Sequence, residues 1–153
     1  MDDTEVIVSV WTGLLAEHWP PDIQRIRADA FSTSSLRWED PPWHSVERAC
    51  WIARARQNGQ LVGFGLLTDC GNEEAVLDEI GVVDGRRGQG IGSAILERLK
   101  VVAATSGFAL IQTSPMRGDD QEPARLWFFE RAGFSAWERG MMLRLQRRGS
   151  AER

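Results

Sequence analysis

The chain has no tyrosine, only two cysteines and only two histidines among its 153 residues. Cys50 and Cys70 cannot build a disulfide scaffold, and we expect each to be a buried structural residue, because a free cysteine behaves as a small apolar side chain. Cysteine and histidine do not cluster at metal-ligand spacing. The sequence therefore predicts neither a disulfide-stapled fold nor a metal site.

A strong charge of one sign and a long apolar run are also missing. The formal net charge is −4 at pH 7, which argues against a nucleic-acid surface and is compatible with a cationic substrate. No stretch approaches the roughly twenty apolar residues of a membrane span. Three of the first five residues are acidic, whereas a secretory signal would be basic and then apolar. We expect a cytoplasmic protein that binds neither nucleic acid nor membrane.

The length and the periodicity of the first half predict one α/β domain. A chain of this size builds a single core, and we place the domain over residues 1–146 with a flexible tail over 147–153. Alternating residues predict a strand over Val6–Trp11, and a proline pair opens a helix over Pro20–Ala30. Strands over Trp51–Arg56 and Leu61–Leu67 flank Asn58-Gly59, a pair favoured in tight hairpins because both residues accept positive φ.

The second half continues with alternating strands and helices. We predict a strand over Val76–Val83, a helix over Gly92–Thr105, a strand over Phe108–Thr113, a helix over Pro123–Ala132 and one final strand over Phe134–Leu145. This order of elements is typical of a layered α/β architecture with a mixed sheet.

Seven tryptophans are an unusual number for this length. We expect Trp11 and Trp51 to face the core from their strands. Trp38 and Trp43 flank a segment with turn chemistry, where they could line a substrate groove, form an interface or cap the core.

The most informative stretch is Arg87-Gly88-Gln89-Gly90-Ile91-Gly92, which we call the glycine loop. Its glycines let the backbone approach an anion closely, and it lies between a predicted strand and a predicted helix. The N-terminus of that helix would direct free N–H groups and a positive dipole end at the same point, and Arg87 adds a permanent charge. The pattern predicts a binding site for a pyrophosphate.

Two common pyrophosphate sites do not fit the glycine loop. A P-loop would end in Gly-Lys-Ser or Gly-Lys-Thr, but Gly92 is followed by Ser93-Ala94. A dinucleotide fingerprint would need its third small residue at Ser93 and an acidic residue about twenty positions on, where the chain has Leu110-Ile111-Gln112. A nucleotide-dependent enzyme on another fold is therefore the least favoured interpretation.

The spacing Arg87-x-x-Gly90-x-Gly92 resembles the acyl-CoA signature of the GNAT superfamily of N-acyltransferases. Ile80-Gly81-Val82 is similar to the pantetheine-binding strand of that family, and Phe128–Phe134 is similar to its late helix-to-strand element. The resemblance spans Val76–Leu145, whereas the first half can be aligned only by the order of its elements. It implies a mixed, mostly antiparallel sheet, flanked by helices and splayed at its centre between the strands around Val82 and Leu110.

The resemblance also implies a function. It predicts an N-acetyltransferase that uses acetyl-CoA as co-substrate, and a primary amine of a small molecule or peptide that attacks the thioester directly. The N–H of Val82 or of a neighbour would stabilise the oxyanion. A homodimer is compatible with the family. The expected CoA-binding residues are Ile80, Gly81, Val82, Arg87, Gly88, Gln89, Gly90, Ile91, Gly92 and Ser93.

Glu79 and Asp78 are the best-placed carboxylates for the general base, and we prefer Glu79. Only one of them is expected to face the cleft, because adjacent strand residues point to opposite sides unless a bulge intervenes. His44 is an alternative base or a structural residue. Some relatives have a glutamate where this chain carries Gln112, which could position water but cannot act as a base.

The resemblance fails at one catalytic position. Many relatives have a tyrosine acid where this chain has Phe129, which carries no proton to donate. A thiolate still leaves fairly readily, because its conjugate acid has a pKa of about 8 to 9. The loss also favours a second interpretation, a non-catalytic acyl-CoA sensor or partner-binding module. Asp119 and Asp120 could attract a cationic substrate to the rim.

Overall fold

The computed structural model describes residues 5–15, 20–30, 48–113, 122–137 and 140–146. Three helices and seven strands occur within these segments. In chain order they are β1 (Val6–Leu15), α1 (Pro21–Ala30), β2 (Arg48–Gln57), β3 (Gln60–Gly71), β4 (Glu74–Val82), α2 (Ile91–Thr105), β5 (Leu110–Thr113), α3 (Glu122–Arg131), β6 (Ser135–Trp137) and β7 (Gly140–Arg144). No helix in the described segments is long and apolar enough to cross a membrane.

The seven strands form one mixed sheet in the order β1-β2-β3-β4-β5-β7-β6. β4 and β5 are parallel, and every other neighbouring pair is antiparallel. Parallel neighbours need a crossover connection, which α2 provides. The predicted α/β class with a mixed, mostly antiparallel sheet is confirmed.

The hairpin between β2 and β3 forms at the predicted turn. Asn58 and Gly59 have φ angles of 55° and 78°, the left-handed region that a two-residue hairpin turn requires. Both strands extend beyond their predicted ends, because β2 pairs with β1 and β3 along almost its whole length.

Helices pack on both faces of the sheet. On one face α1 buries Ile23 and Ile26 against side chains of β2 and β3 that include Ile52, Phe64 and Leu66. On the other face α2 buries Ile91, Ile95, Leu96, Leu99 and Ala103.

Two glycines of β3 allow α2 to lie close to the sheet. A Cβ atom added to Gly63 would be 2.9 Å from Cδ1 of Ile95, and one added to Gly65 would be 2.8 Å from Cγ2 of the same side chain. Real Cβ atoms do not approach other atoms so closely. Because glycine has no side chain, these two positions set the distance between α2 and the sheet, and with it the position of the first turn of α2.

The β4–β5 ladder ends early. It joins Glu74–Leu77 to Leu110–Thr113, and no strand of the described segments pairs with this side of β4 beyond Leu77. β4 and β5 are the strands around Val82 and Leu110 that the resemblance predicts to splay apart. Leu110 at the start of β5 still pairs with Glu74, and the two strands part at their carboxyl ends, past Leu77 and Thr113.

Three expectations are wrong. The final strand is a hairpin of β6 and β7, in which Trp137 pairs with Gly140. Trp11 is 44% exposed because it lies on the edge strand β1, where its ring packs over Gly13.

The third wrong expectation concerns a cysteine. Cys70 is exposed near the end of β3, whereas Cys50 is buried as expected. Trp51 packs edge-to-face on Phe108, with 5.3 Å between the ring centroids.

Candidate active site

The glycine loop follows β4 and reverses the chain toward α2. The N–H of Val83 donates to the carbonyl oxygen of Val62 at 2.9 Å, so pairing with β3 continues to the end of the strand. Gly88 and Gly90 then adopt φ angles of 79° and 81°, which favour glycine. A Cβ atom at either position would point into open space. The backbone of the loop is therefore open to a bound group.

The first turn of α2 presents unused N–H groups. The first hydrogen bond of the helix runs from the N–H of Ala94 to the carbonyl oxygen of Gly90 at 3.0 Å. The N–H groups of Ile91, Gly92 and Ser93 precede it and have no acceptor inside the helix. Gly90 supplies no side-chain cap, and the first turn carries no acidic residue. The positive end of the helix dipole is therefore not neutralised by a carboxylate of this turn.

Two consecutive arginines, Arg86 just before the glycine loop and Arg87 at its start, have different environments. Nη1 of Arg86 donates to Oε1 of the buried Gln57 at 2.9 Å, which ties Arg86 to the sheet. Arg87 is exposed, and its Nε lies 3.4 Å from the carbonyl oxygen of Val82. Arg87 therefore places a guanidinium group between the end of β4 and the loop.

The open side of β4 leads into the loop. Because the N–H of Val83 points toward β3, strand alternation directs the N–H of Gly81 the same way and those of Ile80 and Val82 toward the side that β5 has left. The backbone donors of Ile80, Val82 and the first turn of α2 thus form one run around the glycine loop.

Phe128 of α3 packs beside the first turn of α2. A Cβ atom at Gly92 would lie 3.4 Å from Cε2 of Phe128, an ordinary contact. Phe129 is buried in the core, with its ring centroid 5.2 Å from that of Phe128 and 5.3 Å from that of Phe134. Phe129 is therefore a packing residue, and it has no hydroxyl that could protonate a thiolate.

A β-bulge turns Asp78 and Glu79 to the same face of the sheet. Leu67 pairs with Leu77 and Leu66 pairs with Glu79, so Asp78 is the additional residue on β4. The hydroxyl of Thr68, on the same face as Leu66, donates to Oδ2 of Asp78 at 2.6 Å. Glu79 bonds to α1, which packs on that face. The expectation that the two carboxylates point to opposite sides is therefore wrong, because the bulge breaks the alternation.

Two ion pairs connect α1 to the sheet. Nε of Arg27 donates to Oε1 of Glu79 at 3.0 Å, and the two side chains are only 10% and 11% exposed. Nearer the start of α1, Nε and Nη2 of Arg54 donate to the two carboxylate oxygens of Asp22 at 2.7 and 3.1 Å. The hydrogen bond from Arg54 holds the pKa of Asp22 below its usual value of 3.8, against the opposing effect of burial.

The remaining candidates are less informative. Gln112 on β5 donates from its side-chain amide to Oε2 of Glu74 at 2.8 Å, in the paired part of the β4–β5 ladder. His44, Trp38, Trp43, Asp119 and Asp120 lie outside the described residues.

Sequence reasoning missed Arg27 and Thr68. The one signal for Arg27 is its spacing, since it follows Ile23 by four residues on the apolar stripe of α1. Nothing in the sequence pairs Thr68 with Asp78, because their contact depends on the register of β3 and on the bulge.

Residues 47–136, more than half of the chain, match the family described as the acetyltransferase (GNAT) domain. The ribosomal-protein-S18-alanine N-acetyltransferase of Escherichia coli is similar in structure, with a TM-score of 0.68 and 20% identity over 93% of this chain and 97% of that one. A GNAT-family acetyltransferase of Staphylococcus aureus has a TM-score of 0.66 and 12% identity over 92% and 100% of the two chains. The PaiA N-acetyltransferase of Thermoplasma acidophilum, solved in complex with coenzyme A, has a TM-score of 0.62 and 12% identity over 90% and 99%. No curated protein sequence is significantly similar to this chain.

Proposed function

Because the chain belongs to the GNAT family of acetyltransferases, we propose that it transfers the acetyl group of acetyl-CoA to a primary amine of a small molecule or peptide. The amine attacks the thioester directly, and no covalent intermediate forms on the protein. The observation that carries this proposal is the run of backbone N–H groups from the open side of β4, around the glycine loop, to the first turn of α2.

The pyrophosphate and the pantetheine of acetyl-CoA would each bind a different set of these N–H groups. The pyrophosphate would accept hydrogen bonds from the N–H groups of Ile91, Gly92 and Ser93 and from the loop at Gly88, Gln89 and Gly90, with Arg87 as counter-charge. The pantetheine amides would pair with Ile80 and Val82, and the absence of a side chain at Gly81 would leave room beside them. This arrangement adds an extended ligand to β4 where the β4–β5 ladder has ended.

The chemistry requires a proton acceptor and an oxyanion donor. An amine with a pKa of about 10 is almost fully protonated at pH 7, so it must lose a proton before it attacks. Asp78 or Glu79 takes that proton, directly or through water, and the N–H of Val82 stabilises the oxyanion. CoA leaves as a thiolate, because Phe129 cannot protonate it.

An acyl-CoA sensor without catalytic activity is the second candidate. Phe129 favours it, because the ring is buried among other phenylalanines and carries no acid. The two candidates predict the same ligand but differ in turnover, so a binding experiment must be followed by a kinetic one.

Calorimetric titration with acetyl-CoA tests the binding site. Replacing Arg87 by alanine should weaken binding about tenfold, equivalent to about 1.4 kcal/mol, through loss of a charged hydrogen-bond donor to phosphate. Arg98→Ala is the matched control, since Arg98 is an exposed arginine on α2 that lies outside the first turn of the helix. Tighter binding of ATP or NADH than of acetyl-CoA by the folded protein would contradict the proposal.

CoA release then separates the enzyme from the sensor. The unaltered protein is incubated with acetyl-CoA and either 1,4-diaminobutane or a tetrapeptide that begins with alanine, and free thiol is measured. Release that depends on the amine identifies an acetyltransferase and its acceptor class. Binding of acetyl-CoA without such release would favour the sensor.

A further inference from the structure

Arg27 occupies an unusual position for an arginine. It lies on the buried stripe of α1, four residues after Ile23, and it is buried itself. Arginine is almost never buried without a partner, and here Glu79 accepts a hydrogen bond from its Nε at 3.0 Å. The helix thus places a permanent positive charge against one of the two candidate base carboxylates.

Stability alone is a weak reason for such a pair. Moving two charges out of water costs free energy that their mutual attraction often does not offset. Apolar residues of similar volume often stabilise a fold at least as well. Loss of a single partner is harmful because it leaves the other charge buried and uncompensated. The location of Glu79 suggests another role, since it lies on β4 next to Ile80, whose N–H points to the open side of the strand.

We propose that Arg27 is a positioning residue for the acyl transfer: it holds Glu79 ionised and fixed beside the open side of β4, where Glu79 accepts the proton of the acceptor amine. This role rests on the proposed acetyltransferase function. Without Arg27, a carboxyl group that is nearly buried and next in sequence to Asp78 would retain its own proton at higher pH, and its side chain would no longer be held in place beside the open side of β4.

The proton and electron balance of the step is simple. The acceptor ammonium gives one proton to Glu79 through an ordered water molecule. The freed lone pair forms the bond from nitrogen to the thioester carbonyl carbon, and the bond from carbon to sulfur breaks. CoA leaves as a thiolate, which takes up the second proton of the nitrogen, and Glu79 then releases its proton to solvent.

Other charges on this face are part of the argument. The side chains that β3 places beside Glu79 are Leu66 and Thr68, and neither of them titrates. The charged side chains that the described elements bring to this face include Asp22 and Arg27 of α1, Arg54 and Arg56 of β2, Glu74, Asp78 and Glu79 of β4, and Arg144 of β7.

The Asp22–Arg54 pair provides a matched control. It also joins α1 to the sheet, but it connects to β2 and is separate from Glu79. If Arg27 only anchors the helix, loss of the Asp22 pair should reduce activity in a similar way. If Arg27 acts through Glu79, Asp22→Asn should leave turnover within about twofold of the unaltered protein.

The test is the pH dependence of kcat and kcat/KM, with acetyl-CoA and the better of the two amines named above. Arg27→Gln should lower kcat at pH 7 about tenfold or more, because Glu79 is no longer held in position, and should move the acidic limb of the profile upward by about one pH unit or more. Arg27→Lys should restore part of both effects, since it keeps the charge without the guanidinium geometry. An unchanged acidic limb in Arg27→Gln would overturn the proposal, even if activity falls.

A double-mutant cycle guards against a variant that fails to fold. Arg27→Gln combined with Glu79→Gln removes both charges of the pair, and it should be as slow as Glu79→Gln alone because both changes remove the same function. Fully additive losses would contradict a joint role. Acetyl-CoA affinity within about twofold of the unaltered protein is expected in every variant.

A second readout needs no acceptor. The side-chain carboxyl carbon of Glu79, identified by its disappearance in Glu79→Gln, is followed by NMR as the pH is lowered. Its titration midpoint should lie at higher pH in Arg27→Gln than in the unaltered protein or in Asp22→Asn, and equal midpoints would overturn the proposal. A shifted midpoint in a protein that releases no CoA with either amine would instead count against the acetyltransferase function.

Discussion

Single glycines decide whether the glycine loop can accept a ligand. Gly90 has a φ of 81°, and a Cβ atom there would meet no neighbouring atom. Gly90→Ala should cost about 1 kcal/mol of stability from the left-handed backbone. It should also weaken acetyl-CoA binding in calorimetry, since the new methyl group occupies the open space over the loop.

Gly59→Ala is the matched control for this prediction. Gly59 has a similar φ of 78° and equally open surroundings, but it lies in the β2–β3 hairpin. The two variants should lose similar stability, and only Gly90→Ala should lose affinity. Equal affinities would mean that the loop does not contact the ligand.

Asp22 makes a pH-dependent contribution to stability. Arg54 lowers the folded pKa of Asp22 below 3.8, so the pair stabilises the fold above that value and ceases to do so as the pH falls through the folded pKa. Asp22→Asn should lower stability at pH 7 by less than about 1 kcal/mol, because the carboxylate is 39% exposed and screened by solvent. Thermal melts at pH 7 and at several values below 3.8 should show the difference shrinking. A difference that grew toward low pH would contradict this assignment.

At the residue scale, the sequence predicts backbone binding sites better than it predicts side-chain partners. The glycine loop can be recognised in the sequence because positive φ and close approach select glycine within a few consecutive residues. The partners of Asp78 and Glu79 cannot be predicted from the sequence, because their contacts with Thr68 and Arg27 depend on strand register, a bulge and the packing of α1. Trp11 was misjudged because an edge strand cannot be recognised from its own alternation.

At the element scale, the contact between α2 and β3 sets the position of the first turn of α2. Gly65→Ala would put a Cβ atom 2.8 Å from Ile95 and 2.9 Å from Leu99. Relief of this overlap should cost about 1 to 3 kcal/mol, measured by chemical denaturation. Because the helix must shift to make room, acetyl-CoA affinity should fall as well.

Gly92→Ala provides the comparison for that prediction. A Cβ atom at Gly92 meets Phe128 at an ordinary 3.4 Å, and alanine is the better helix former. Its stability should equal or exceed that of the unaltered protein. If Gly65→Ala were equally harmless, α2 would not be held by close approach to β3.

The elements themselves were predictable where local chemistry defines their ends. Asn58-Gly59 marks a tight turn, and the apolar period of α2 extends between the glycine loop and Gly107. The β6–β7 hairpin was missed because the two residues between Trp137 and Gly140 are Glu and Arg, which carry no turn preference of the Asn-Gly kind. The alternation of residues along β4 also does not reveal the bulge at Asp78.

At the scale of the whole molecule, ligand binding should be visible as added stability. Acetyl-CoA at a hundred times its Kd should stabilise the fold by about 2.7 kcal/mol, which corresponds to a Tm increase of about 5 to 10 °C for a chain of this size. Scanning calorimetry with and without acetyl-CoA measures the shift. At the same concentration, Arg87→Ala should show a smaller increase and Arg98→Ala an unchanged one. Identical shifts in all three proteins would place the ligand elsewhere.

The mixed sheet was predictable from element order together with the resemblance, but the order of its last three strands was not. β7 inserts between β5 and β6, so the chain passes one strand position and returns. Nothing local encodes that choice, which depends on the pairing of β5 with the later strand. The cytoplasmic location and the homodimer stay predictions.

The most direct test of the account is a two-dimensional amide NMR titration of the protein with acetyl-CoA. We predict that the largest shifts occur at the N–H groups of Ile80, Val82 and residues 88–93, and that the β3–β4 turn at Asn72 and Glu73 is unaffected. Saturable binding whose shifts avoid the glycine loop and the open side of β4, or no binding by the folded protein, would contradict the account.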